Sequence, residues 1–177
     1  MDEQDRLRRS IAVHEAGHAL VYSARIPMPA RLRIVVRSQP TCNVGGYATT
    51  GDLTRPPETL DTMGLVHYML IQLGGQAAEK TILGQDSKLA SEDLEKWSRY
   101  VHLFLAKSPS VGWTQENLYE TQMNLLGLFF GRNENIMLVL AEEAIMHREV
   151  LLQDFLRTAP PIWYPPSNLF PRPAGLE

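Results

Sequence analysis

The sequence predicts a mainly α-helical domain with a small β-hairpin or sheet beside one helix. Three observations carry that expectation. Over most of the 177 residues, apolar side chains recur at spacings of three, four and seven. One stretch, Leu32-Arg33-Ile34-Val35-Val36-Arg37, is instead rich in β-branched residues. And Ile11 to Val21 surrounds the pentapeptide His14-Glu15-Ala16-Gly17-His18 with small and apolar residues that form helix readily.

Taken in order, residues 1 to 10 are charged and lead into a first helix expected from about Asp5 to Ser23, ended by Pro27 and Pro29. The β-branched stretch reads as a strand. A turn holding Pro40 and Cys42 leads to Gly45–Thr50 as the second strand of a hairpin. Gly51 to Pro57 reads as loop. From about Glu58 a long helical pattern runs to Gly84, which should end it. Inside it, Gly74 and Gly75 each cost about 1 kcal/mol relative to alanine. They make sense where another backbone approaches closely, and the HEAGH helix is the expected neighbour.

A third helix follows through Leu94, Trp97, Val101 and Leu105 and stops before Pro109. A fourth covers roughly Glu116 to Phe130, and a last one is expected to run unbroken from about Glu134 to Arg157. These elements make one domain over residues 1–158. The tail, 159–177, holds six of the twelve prolines with Trp163, Tyr164 and Phe170. It is either a flexible end or an extended arm that docks its aromatics on a folded surface.

Composition narrows the function classes. A net charge of −3 gives no reason to expect nucleic acid or an anionic membrane as partner. The single cysteine excludes an internal disulfide and fits a reducing compartment. No apolar run reaches membrane-spanning length and the N-terminus lacks the apolar core of a secretion signal, so the expected location is cytoplasmic.

HEAGH is an instance of H-E-x-x-H. Four helical positions turn the chain through about 400°, so His14 and His18 share one face, one turn apart. Two imidazoles so placed can bind one zinc, and Glu15 can reach a water at the metal as general base. Catalytic zinc takes a third protein ligand. His67, His102 and His147 lie on later helices, and a lone histidine there is more often a hydrogen-bonded residue than a ligand. Glu79 and Asp93 are the stronger candidates. Both are on helices able to pack against the HEAGH helix, and spacing does not separate them.

The order HEAGHALV, a strand and glycine-tyrosine turn, GGQAAEKTILG and then ASEDLEKW resembles the peptidase domain of the FtsH family of ATP-dependent zinc proteases, over roughly residues 5 to 107. That resemblance implies one zinc per chain, held by His14, His18 and Asp93, with Glu15 as catalytic base. Glu79 matches the family's GGxxAE glutamate, a neighbour of the site that would hold a ligand histidine's free N–H. The chain departs from the pattern at Leu89, at Glu92 and around Ser108 to Trp113. It has no GxxxxGK[ST] phosphate loop. The resemblance therefore implies a stand-alone zinc endopeptidase acting on unfolded or flexible polypeptides, or on substrates delivered by a separate ATPase. The family's precedent suggests a homo-oligomeric ring. The alternative is a catalytically silent module that keeps the fold and regulates a partner protein.

Overall fold

The structure, a computed structural model, describes residues 2–24, 31–41, 44–49, 56–85, 89–109 and 112–166. Of the expected turn over residues 38–43, residues 38–41 instead extend the first strand, while Cys42 and Asn43, the prolines at 27 and 29, and Phe170 lie outside the described residues. Among the described residues there are six α-helices and a three-stranded antiparallel sheet. None of the helices is long and apolar enough to cross a membrane.

Helix α1 (Glu3–Ser23) begins where Asp2 accepts a hydrogen bond from the Asp5 N–H, 2.7 Å away. It is buried from Ile11 onward on nearly all sides, Glu15 being the partly exposed exception before Tyr22. Strands β1 (Arg33–Thr41) and β2 (Val44–Thr49) form the expected hairpin, with Val35 opposite Tyr47. Asp61 caps α2 (Thr62–Ala78) through the Gly64 N–H at 2.7 Å. That helix widens into a π turn, Glu79–Leu83, and stops at Gly84, whose φ of 64° is the left-handed conformation that favours glycine.

The two glycine-bearing helices cross as the sequence implied. A Cβ on Gly17 would lie 2.5 Å from the Gly74 carbonyl oxygen, and one on Gly74 would lie 3.0 Å from the Gly17 oxygen. Backbone therefore meets backbone at the centre of the core. Helix α3 (Ser91–Lys107) packs on α2 with Trp97 and Val101 inward. A reciprocal cap between Thr114 and Asn117 starts α4 (Gln115–Arg132), which brings Leu126, Phe129 and Phe130 into the core.

The last predicted helix is wrong in its second half. Helix α5 (Glu134–His147) ends at Arg148, a non-glycine residue at φ 63°. Residues Glu149–Leu151 then form β3, and Leu152–Leu156 a short α6. β3 pairs with β1 so that the strand order is β2-β1-β3. Sheet pairing and burial of Leu152 have overridden a helical pattern that continued through this stretch.

Of the two readings of the tail, docking holds for its described part. The Asn133 side chain donates to the Trp163 carbonyl and accepts from the Trp163 N–H, at 2.8 and 2.9 Å. Tyr164 stacks on Phe129, and the Arg132 guanidinium lies over the Trp163 ring.

Candidate metal centre

Three atoms from two helices converge. His14 Nε2 and His18 Nε2 are 3.0 Å apart, and Asp93 Oδ2 lies 3.1 Å from the first and 3.2 Å from the second. Among the described residues this is the one cluster of histidine and carboxylate groups spaced to hold a metal ion. Its members come from one turn of α1 and the first turn of α3. Ala90 and Trp97, which share the aspartate's face of α3, are buried and turn it inward.

The free nitrogens of the two rings are also fixed. His14 Nδ1–H donates to Glu79 Oε1 at 2.6 Å, and His18 Nδ1–H donates to the Ile71 carbonyl at 2.6 Å. Each ring thus commits Nδ1 outward to the protein and aims Nε2 at the common point. Both Nε2 atoms face Asp93 Oδ2 and each other.

Burial disfavours a charge on His14, but hydrogen bonds to Asp93 and Glu79 outweigh it and push the pKa up to about 9. Burial works likewise against ionised Asp93, and the two imidazoles overcome it, holding the carboxyl well below its usual range. The site is organised around a cation. Its donor set, two imidazole nitrogens and one carboxylate oxygen, suits zinc, and in tetrahedral zinc such donors stand about 3.3 Å apart. The observed triangle is within a few tenths of an ångström of that spacing. The residues fit the metal.

Glu15 follows the first histidine and lines the same cleft as the three donors. Burial raises its pKa, the two imidazoles lower it, and a hydrogen bond from the Ala48 backbone on β2 also lowers it, with a net rise. The cleft, about 640 Å³, is lined by Glu15, Tyr47, Tyr68, Asp93 and Tyr100 among others. Tyr68 and Tyr100 stack with ring centres 5.4 Å apart.

Of the other candidates, Glu79 is almost fully buried and bonds the His14 ring. His102 is exposed and bonded to the Ser98 carbonyl, and His147 is exposed beside Glu143. His67 lies on α2 outside the converging group. Two participants carry no signal in the sequence: Ser10 donates to Glu79 Oε2 at 2.7 Å, and the Ile71 carbonyl orients His18. Gly75, at the expected close approach to the HEAGH helix, meets the His14 ring itself. A Cβ there would stand 2.5–2.6 Å from three atoms of the His14 ring.

Gly75→Ala is therefore expected to separate stability from metal binding. Alanine gains about 1 kcal/mol of helix propensity, against roughly 1–3 kcal/mol of overpacking. The melting temperature should change by a few degrees while zinc affinity drops at least about tenfold through the displaced ring. Unchanged affinity in a zinc titration would mean that the ring moves aside without cost.

A family description, Peptidase family M41, matches residues 1–127. Over 93 residues the chain is 39% identical to the ATP-dependent zinc metalloprotease FtsH 1 of Sorangium cellulosum, covering 49% of this chain and 14% of that protein. Over 101 residues it is 31% identical to the mitochondrial ATP-dependent zinc metalloprotease FTSH 3 of Arabidopsis thaliana, covering 56% and 12%. The corresponding protein of Oryza sativa is 30% identical over 101 residues. The chain thus spans only 12–14% of the length of the curated relatives it matches. The family match takes in α1 with its HEAGH turn, the β1–β2 hairpin, α2 with Glu79 and the Asp93 turn of α3, so this chain belongs to peptidase family M41, with an FtsH-type peptidase domain.

Proposed function

We propose that the chain is a zinc-dependent endopeptidase in which His14, His18 and Asp93 hold one metal ion and Glu15 is the general base. The observation that carries this is the triangle of His14 Nε2, His18 Nε2 and Asp93 Oδ2, 3.0–3.2 Å on each side, with Glu15 on the adjoining cleft. Zinc, when bound, supplies Lewis acidity, bringing the pKa of a water it holds to about 7 and polarising the scissile carbonyl.

The chain's own residues do the rest. Glu15 accepts a proton from the attacking water and hands it to the leaving amine. Its raised pKa strengthens it as the base for the first half of that transfer. β2 is an edge of the sheet and Tyr47, exposed on it, lines the same cleft. An extended substrate backbone can pair with that edge, which gives affinity with weak sequence preference. Unfolded or flexible polypeptides are therefore the substrate class. A cytoplasmic setting, expected from the sequence, and a separate ATPase that delivers substrate and a homo-oligomeric assembly, expected from the resemblance to the FtsH family, belong to the same reading.

The deciding experiment is hydrolysis of an unfolded protein with and without chelator. Cleavage that is lost on chelation and restored by zinc supports the proposal. A zinc-loaded protein that cleaves no unfolded substrate would favour a regulatory module.

Proton release gives a second check. The His14 pKa is raised to about 9 from 6.5. In chelated protein its stabilisation is fully present below about pH 6.5 and lost as pH rises through 9. Zinc takes the place of that proton, so zinc affinity should rise about tenfold per pH unit from pH 7 toward 9 and then level off. Calorimetry at pH 7 in buffers of different ionisation heat should count about one proton released per zinc bound. Zero protons released would contradict the imidazolium.

A further inference from the structure

The geometry points to Ser10 as a positioning residue for the metal centre, acting through Glu79 on His14; this rests on the metal site proposed above. Glu79 is 2% exposed. Its Oε1 accepts from His14 Nδ1–H at 2.6 Å and its Oε2 accepts from Ser10 Oγ at 2.7 Å. Ser10 and His14 are four residues apart on α1, hence one turn apart on the same face. Both oxygens of one buried carboxylate are thus gripped from a single helix.

The second bond matters because of the torsions involved. The terminal torsion of glutamate and the ring torsion of histidine are both broad rather than locked in three narrow wells. A single Nδ1–H···O bond fixes a separation and leaves the carboxylate plane free to pivot, and the imidazole with it. The Ser10 bond fixes that plane, which fixes the direction of the His14 ring and the aim of Nε2. A hydroxyl is also a neutral donor. It gives a buried oxygen a hydrogen bond without adding a positive charge of its own. Without it, the oxygen loses a partner inside the core, where reorientation to find another is favoured.

The test is a double-mutant cycle read as zinc affinity, by competition with a chromophoric chelator at fixed pH. Ser10→Ala should weaken zinc binding by about 3–10-fold, less than the roughly 10–100-fold expected of Glu79→Gln. In a Glu79→Ala background, where the contact is gone, Ser10→Ala should add almost nothing, because its effect passes through Glu79. Alanine is the best helix former, so the variant keeps α1. Ser10→Thr and Ser10→Val provide a second pair that differs in the hydroxyl and little in shape. Threonine should bind zinc within about twofold of wild type and valine should match alanine.

Wild-type affinity in Ser10→Ala, equal affinity in the threonine and valine variants, or effects that multiply in the cycle would each overturn the role of Ser10. Failure of the metal site itself is distinguishable, because then the unmodified protein binds no zinc.

Discussion

Glu15→Gln is expected to lower peptide hydrolysis by about 10²–10⁴-fold while leaving the fold and one bound zinc per chain unchanged. The substitution keeps shape and hydrogen bonding. The amide oxygen can still accept from the Ala48 backbone that holds the carboxylate now. What it removes is the site that takes the proton from water, since an amide is not basic in this range. The proposed metal donors are His14, His18 and Asp93, so zinc content should not follow activity. Rates on an unfolded protein, with zinc measured on the same sample, separate the two quantities. Turnover near that of the unmodified protein would remove Glu15 from the mechanism.

Asp93→Ala is expected to abolish activity and most zinc binding, whereas Glu79→Gln should cost about 10–100-fold in affinity. The asymmetry comes from geometry. Asp93 Oδ2 stands 3.1 and 3.2 Å from the two Nε2 atoms, on the side where the lone pairs converge. Glu79 is bonded to Nδ1, on the opposite side of the His14 ring. Losing Asp93 removes a ligand and a compensating charge together. Losing the Glu79 charge loosens one ring. In metal-free protein both changes also remove support for the His14 imidazolium, so each should bring its pKa down from about 9. A zinc titration in which the glutamine variant is the weaker of the two would reverse the assignment.

Much of this site was legible because its chemistry rests on local spacing. Two histidines four apart on a helix must share a face, and the glycine pair at 74 and 75 announced a close crossing wherever its partner lay. Choosing Asp93 over Glu79 was different. It depends on how α3 is placed against α1, which periodicity does not encode, and likeness to a family supplied the choice. Ser10 and the Ile71 carbonyl were invisible for a similar reason. A serine on a charged helical turn carries no signal until a carboxylate from 69 residues away is set against it.

The failure at the C-terminal end has another cause. Glu149-Val150-Leu151 has too few residues to display an alternation, and Arg148 adopts a left-handed turn without the glycine that normally marks one. Local preference favoured a continuing helix there. Pairing with β1 decided otherwise.

That pairing sets an order of events as the chain is made. Arg33, Ile34 and Val35 find their partners at Leu151, Val150 and Glu149, more than a hundred residues later. The candidate metal donors all lie before Lys107 and the β1–β2 hairpin is made early, whereas α1 also packs on α5, which follows much later. At a synthesis rate of about 5–20 residues per second, β1 then waits several seconds with one row of backbone groups open. An open strand edge invites pairing with another chain. Chaperones that shield strand edges should therefore matter most in the interval before Glu149–Leu151 are made.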